Sequence, residues 1–315
     1  MFCSLLVSCL GFKWRYPTAV AIVFDALPWL LSLAVLVVGL LCLFVAGASL
    51  LPMMLMLVAD LSFLLLSRCV RRRNRGLRVS LPLRRCSTTK IVFHNVWVDN
   101  PSARACAQQL VDSGADVVVV AESSRAFEDL FDSLGGSAKF PFRCGDDLGQ
   151  RNEYAVTIYS RNELTDVQLA PLCRGVDKTS LVCATLPNGL RVTAANLYAC
   201  LDAPGFVQRW RLQLIDLCRV LNEQSALSSN LVCVADLNST SFRPEFSELL
   251  LRTGLRDAHA ECGRGLSASL SLNGRGPCFA RVDHALVDSR TSIDAIEDLP
   301  MCGSDHKPFQ LSVTT

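Results

Sequence analysis

The sequence predicts an α/β sandwich of two packed mixed β-sheets flanked by helices, preceded by a transmembrane helical hairpin at the N-terminus. Three observations lead there. Charge almost vanishes between Ala26 and Ser67, where Asp60 is the only charged residue. From Lys90 onward, short β-branched or apolar runs alternate with segments of helical spacing. Several of those runs are continuously apolar, which fits strands buried on both faces better than the alternation of a half-exposed sheet.

The N-terminal part is read from length and charge. Ala26–Val45 is an almost unbroken apolar run, and a hydrocarbon core of about 30 Å needs about 20 such residues as helix. Gly47, Ser49 and Pro52 mark a turn, and Leu50–Leu66 forms a second apolar run. Residues 1–70 are therefore expected to form a membrane anchor with spans at about 26–45 and 50–66. Lys13 and Arg15 precede the first run, and Arg68, Arg71, Arg72, Arg73, Arg75, Arg78, Arg84 and Arg85 follow the second. The positive-inside rule then places both ends in the cytoplasm. The expectation is an integral membrane protein with a lipid bilayer as partner and a cytoplasmic remainder. Asp60 is costly in lipid unless it faces the hairpin interior. Residues 71–88 read as a basic linker and 89–315 as the globular domain.

Net charge hides an asymmetry. Residues 1–86 carry 10 Lys and Arg against 2 Asp and Glu, and residues 87–315 carry 21 against 27, which together give the chain its +2. Beside a membrane, the arginines read as a topology signal and an attraction to anionic head groups rather than a nucleic-acid tether. The acidic remainder argues against strong sequence-independent DNA binding, which depends on neutralising phosphates. The fifteen cysteines form no CxxC pair, which disfavours a zinc site. Those in Leu181-Val182-Cys183 and Leu231-Val232-Cys233 read as small buried hydrophobes, with disulfides left open. Gly263–Gly265 and Gly274–Gly276 have no P-loop pattern.

Strands are expected at Lys90–Val96, Asp116–Ala121, Tyr154–Ser160, Ser180–Leu186, Leu190–Leu197, Asn230–Ala235, Arg281–Val287 and Phe309–Val313. Helices are expected at Pro101–Ser113, Ser123–Leu134, Gly205–Asn222 and Pro244–Thr253, with prolines near three helix starts, where they are tolerated. Most strands adjoin a polar cluster: Asn95; Glu122; Asp236 and Asn238; Asp283; and Ser304-Asp305-His306 before the last strand. One such residue would be an ordinary strand cap. Several at the ends of strands can converge on one sheet edge as an oxygen-rich site, which suits Mg²⁺ better than zinc. His94 and His284 read as strand-packed, and His259 as part of a solvated polar loop.

The series Asn95, Glu122, Tyr-Ala-Val-Thr-Ile-Tyr-Ser-Arg (154–161), Asn-Leu-Tyr-Ala (196–199), Asp-Leu-Asn (236–238), Arg-Val-Asp-His (281–284) and Gly-Ser-Asp-His-Lys-Pro (303–308) resembles the endonuclease/exonuclease/phosphatase superfamily, with its deoxyribonuclease I-like domain. The order and spacing match across about residues 88–315, as in a membrane-anchored bacterial-type member. The resemblance implies a Mg²⁺-dependent phosphoester hydrolase, with Mn²⁺ able to substitute. It implies Glu122 and Asp305 as metal residues and Asn95 as support for the metal site and for Asp236. Asp236 would deprotonate the attacking water, Asn238 and His306 would hold phosphate oxygens, and Asp283 would orient His306. Asn196, Arg151 and Asn152 are weaker substrate-binding candidates, the last two being equally readable as a solvated loop. Tyr198 stands where many relatives have His, and a phosphate donor and a packed tyrosine are both open readings. Trp97 stands where some relatives have a metal-binding Asn or Asp, which removes a ligand for a second ion. The expected substrate is a phosphodiester in nucleic acid, with phospholipid or inositol phosphate as the alternative. A non-catalytic scaffold would show losses among Glu122, Asp236, Asn238, Asp283 and His306, and none is lost.

Overall fold

Period-two geometry turns the continuous apolar strands into a four-layered fold. Successive side chains on a strand point to opposite faces, so a strand apolar at every position buries both. Ile91 and Phe93 of the first strand face the partner sheet, while Val92 between them faces helices. Val117 and Val119 of the second strand point inward and Val118 and Val120 outward. In the other sheet, Val232 and Val234 face inward and Leu231, Cys233 and Ala235 outward.

The computed structural model describes residues 87–145, 155–170, 172, 181–197, 205–228, 230–265, 267–272, 274 and 276–315. Within these the strands are β1 (Thr88–Asn95), β2 (Val117–Ala121), β3 (Phe142–Gly145), β4 (Val156–Ser160), β5 (Thr165–Ala170), β6 (Leu181–Thr185), β7 (Leu190–Asn196), β8 (Asn230–Asp236), β9 (Arg256–Asp257), β10 (Asp283–Val287), β11 (Ser292–Asp298) and β12 (Phe309–Thr314). The helices are α1 (Ala103–Asp112), α2 (Arg125–Ser133), α3 (Gly136–Lys139), α4 (Phe206–Leu227), α5 (Pro244–Thr253) and α6 (Ala258–Glu261). One sheet has the order β11-β12-β1-β2-β4-β3 and the other β5-β6-β7-β8-β10-β9. Helices α1 and α2 cover the outer face of the first sheet, and α4 and α5 that of the second.

Each sheet contains one parallel pair, β1 with β2 and β7 with β8. Register sets which strand ends meet. Asn95 pairs with Ala121, the residue before Glu122. Asp236 pairs with Asn196 on one side and with Asp283 on the other. The functional candidates therefore lie side by side because the pairing leaves them no other place.

All eight expected strands are present, with ends shifted by a residue or two; β1 begins at Thr88, inside the expected linker. Four further strands, β3, β5, β9 and β11, had no apolar run to announce them. β5 is an edge strand with exposed Val167 and Leu169, β9 has two residues, and β11 buries only Ile293 and Ile296 on one face. The expectation of an integral membrane protein is corrected: among the described residues no helix is long and apolar enough to cross a membrane. The apolar runs at 26–45 and 50–66 lie outside the described residues, and among the described residues nothing supports a bilayer partner.

Phe93 and Phe309 stack at 5.5 Å between ring centroids where β1 meets β12, both fully buried between the sheets. Phe309→Ala removes a ring that close-packed neighbours cannot replace, so it should cost about 3–5 kcal/mol. Urea unfolding should show a lowered midpoint with an unchanged slope; an unaltered midpoint would mean this contact is not core.

Candidate active site

The site forms where the ends of β1, β2, β8 and β10 meet the loop before β12. Asn95 ends β1, almost fully buried. Its Nδ2 donates to Glu122 Oε1 at 2.8 Å and to Asp236 Oδ2 at 3.0 Å. One amide thus bridges a carboxylate on its own sheet and a carboxylate on the other. Its Oδ1 accepts from Trp97 N at 3.0 Å, so the amide is held at both ends. Glu122 Oε2 also accepts from Val98 N at 3.2 Å.

The backbone is strained here. Trp97, Glu122 and Asn238 have φ of 55°, 56° and 46°. Left-handed backbone at non-glycine residues costs free energy and persists where surrounding contacts enforce it. At Asn238 the enforcing contacts are visible. Its N donates to Asp236 Oδ1 at 2.9 Å, and its Nδ2 donates to Leu197 O at 2.8 Å.

Asp236 is fully buried. Burial, assisted by the nearby Asp283 charge and opposed by that of His306, pushes its carboxyl up to about 7. His306 Nε2 lies 3.8 Å from Asp236 Oδ2. His306 Nδ1 sits 2.9 and 3.1 Å from the two Asp283 oxygens, so its Nδ1–H donates to that carboxylate. Burial disfavours the imidazolium, but the charges of Asp283 and then Asp236 outweigh it and raise His306 well above its ordinary value. Asp283 moves the opposite way: burial would raise it, and the His306 charge brings it below the usual carboxylate range. Two aspartates in one site are thus driven apart: burial carries Asp236 towards neutrality, and the imidazole holds Asp283 ionised.

Burial also raises Glu122, with the Asp305 charge adding to it, and Asp305, with the Asp283 charge adding to it. These two carboxylates fit a hard divalent cation: oxygen donors without thiolate, whose charged forms burial disfavours until a cation is beside them. Asp236, Asp283 and His306 also bring ligand atoms within 4.8 Å of one another. Asp283 and His306 are already committed to each other, so Glu122 and Asp305 are the better cation residues.

Of the candidates read from sequence, Asn95, Glu122, Asp236, Asn238, Asp283, Asp305 and His306 fall in this neighbourhood. Asn196 is buried at the end of β7 beside Asp236. Tyr198, Arg151 and Asn152 lie outside the described residues. His94 and His284 are strand-packed as read: their Nε2 atoms face His306 O at 3.2 Å and Ser239 O at 2.8 Å. His259 is corrected. It is not solvated but fully buried, because Asp257 Oδ1 accepts from its backbone N and Arg281 reaches its Nε2 at 2.8 Å.

Three residues that sequence reasoning gave no role support the site. Ser304 Oγ donates to Asn95 O at 2.7 Å and accepts from His306 N at 3.0 Å, tying the histidine loop to β1. Ser269 Oγ accepts from Val282 N at 3.1 Å and Asp283 N at 3.3 Å. The Arg281 guanidinium binds Ser267, His259 and Asp298 beneath Asp283. Ser304 and Arg281 at least stand inside recognisable motifs; Ser269 carries no sequence signal.

Residues 92–306 match the family described as Endonuclease/Exonuclease/phosphatase family. Its members are divalent-metal-dependent phosphoester hydrolases, and this chain is an enzyme of that class. It belongs to that family. No curated protein matches the chain. Among solved structures it is similar to the 3′ phosphatase NExo from Neisseria bound to a product DNA hairpin, at 20% identity and TM-score 0.57, covering 71% of this chain and 98% of that one. It is similar to D. rerio TDP2 complexed with a single-strand DNA product, at 16% identity and TM-score 0.59, covering 73% and 100%. It is also similar to sphingomyelinase C from Streptomyces griseocarneus, at 15% identity and TM-score 0.53, covering 72% and 99%. At these identities the likeness establishes the fold.

Ser304→Ala leaves His306 N without its acceptor in a buried position, so kcat should fall about 10–100-fold, the usual cost of removing a group that orients a working side chain. Steady-state kinetics check this, and a wild-type kcat would show that the loop holds without the hydroxyl.

Proposed function

We propose that the chain is a Mg²⁺-dependent phosphodiesterase that cleaves nucleic acid by in-line attack of a water on phosphorus. The observation that carries this reading is the buried Asp236 carboxylate, held by Asn95 3.0 Å away and lying 3.8 Å from an imidazole that Asp283 keeps charged.

In-line displacement needs a base for the water, donors for the equatorial oxygens and positive charge where negative charge develops. Asp236 is the base. A carboxyl shifted toward 7 accepts a proton at neutral pH far better than an ordinary one. The Asn95 and Asn238 hydrogen bonds fix its two oxygens. The imidazolium of His306, oriented through Nδ1, offers Nε2–H to a non-bridging phosphate oxygen. Asn238 uses one amide N–H on Leu197 O and has a second for another phosphate oxygen. Asn196 lies beside Asp236 at the same strand edge. Glu122 and Asp305 would hold the cation, which when bound neutralises charge on the phosphate and the leaving oxygen. Nucleic acid is preferred as substrate because two of the similar proteins hold DNA products in their structures. Sphingomyelin is the competing substrate.

The full-length chain should release p-nitrophenol from bis(p-nitrophenyl) phosphate with Mg²⁺, lose the activity to EDTA and regain it on Mg²⁺ addition. Asp236→Ala should lower kcat about 10²–10⁴-fold with little change in KM. Activity indifferent to that substitution would remove the mechanism. In a panel of single-stranded DNA, plasmid and sphingomyelin, turnover of sphingomyelin alone would overturn the nucleic-acid assignment while keeping the chemistry.

The pH profile follows from the same geometry. The rising limb reports deprotonation of Asp236 and the falling limb loss of the His306 proton. Since Asp283 raises His306, Asp283→Asn should move the falling limb of kcat to lower pH. A limb that stays put would mean that His306 does not work as the cation.

A further inference from the structure

Behind the loop that carries Asp305 and His306 lie two thiols that the reaction does not use. Cys106 Sγ, on the first turn of α1, is 2.7 Å from Cys302 Sγ. Its thiol also donates to Cys302 O at 3.2 Å, and Asn100 Nδ2 donates to Cys106 Sγ at 3.1 Å. The two residues are 196 positions apart in sequence and are brought together where the 302–306 loop lies on the turn before α1. That packing is close. Gly303 has φ +103°, and a Cβ there would collide with Ser102.

We propose that Cys106 and Cys302 form a modification site, a dithiol that closes to an intramolecular disulfide and clamps the histidine loop to α1. A disulfide has an S–S length of about 2.05 Å, so closure moves the sulfurs by less than an ångström. The alternative for two thiols beside His94 Nε2, which is 4.0 Å from Cys302 Sγ, is a soft metal. Two thiolates on one tetrahedral zinc, each at about 2.3 Å, would stand about 3.8 Å apart. The observed separation is too short for that and fits the covalent pair. The His94 Nε2 also faces His306 O, which occupies the atom a metal would need.

The oxidant is a small-molecule disulfide such as oxidised glutathione. Cys302 is the partly exposed partner and Cys106 the buried one. The bond to Cys106 and burial push the Cys302 thiol up, but it is the thiol that solvent reaches; it gives its proton to solvent and attacks the small disulfide, forming a mixed disulfide and releasing one small thiol. Cys106 sulfur then attacks Cys302 sulfur and releases the second. The protein loses two protons and two electrons, and the small disulfide takes up both. The hydrogen bond from Cys302 and, against burial, that from Asn100 hold the Cys106 thiol below its ordinary range, which assists the second step.

The test uses the purified full-length chain, incubated with oxidised glutathione or with dithiothreitol, alkylated and mapped by mass spectrometry. Oxidised protein should yield a peptide joining Cys106 to Cys302. Its Tm should rise by about 5–10 °C, as expected for a cross-link closing a long loop, and return on reduction. The rise should be absent in Cys302→Ser and in Cys106→Ser. Both cysteines recovered as alkylated after oxidation, or an undiminished rise in either variant, would overturn the proposal. So would one equivalent of zinc that copurifies with wild type and is lost in Cys302→Ser. The peptide map needs no variant and decides the matter if a substitution fails to fold.

Discussion

One primary amide joins the two sheets at their working edge. Asn95 ends a strand of the first sheet, and its Nδ2 reaches both Glu122 beside it and Asp236 on the opposite sheet. Sheets packed by apolar side chains can slide by fractions of an ångström at little cost, because the hydrophobic effect has no direction. A buried amide between two carboxylate oxygens has direction, and an unsatisfied partner there is expensive. The Asn95 bridge therefore converts non-directional packing into fixed spacing between Glu122 and Asp236. Its Oδ1, held by Trp97 N, and its carbonyl, held by Ser304, carry that fixity to the histidine loop.

The rest of the electrostatics depends on this spacing. Asp236 and Asp283 end adjacent antiparallel strands in register, and both are buried. Identical chemistry would give them similar behaviour. His306 breaks the tie by hydrogen bonding to Asp283 at 2.9 Å while standing 3.8 Å from Asp236. The nearer carboxylate shares the imidazolium charge and stays ionised; the farther one feels burial most and shifts toward neutrality. Less than an ångström of asymmetry separates the carboxylate that burial raises from the one that the imidazole holds ionised. Strain at Glu122 and Asn238 is the cost of holding the strand ends at those distances.

Much of this was legible in the chain. The apolar runs at 117–121 and 230–235 marked buried strands, and their polar endings marked the site, because a carboxylate after such a run has only an edge to occupy. Edge strands escaped notice for the converse reason: β5 and β11 bury too few apolar side chains to leave a pattern. His259 was misread because its polar neighbours Asp257 and Glu261 suggest water, whereas in the fold Asp257 caps it and Arg256 pairs with Glu261. The apolar N-terminal runs supported a membrane reading that no described helix bears out.

The sequence by itself determined the fold class, the strand ends that carry chemistry and the family, since these rest on local periodicity and on residue types at fixed spacing. The tertiary structure alone decided that Ser304, Ser269 and Arg281 support the site, and that Cys106 meets Cys302. Each of these turns on distances between segments far apart in the chain. Local propensity holds no information about such distances; only the register of the sheets and the packing of the layers fixes them.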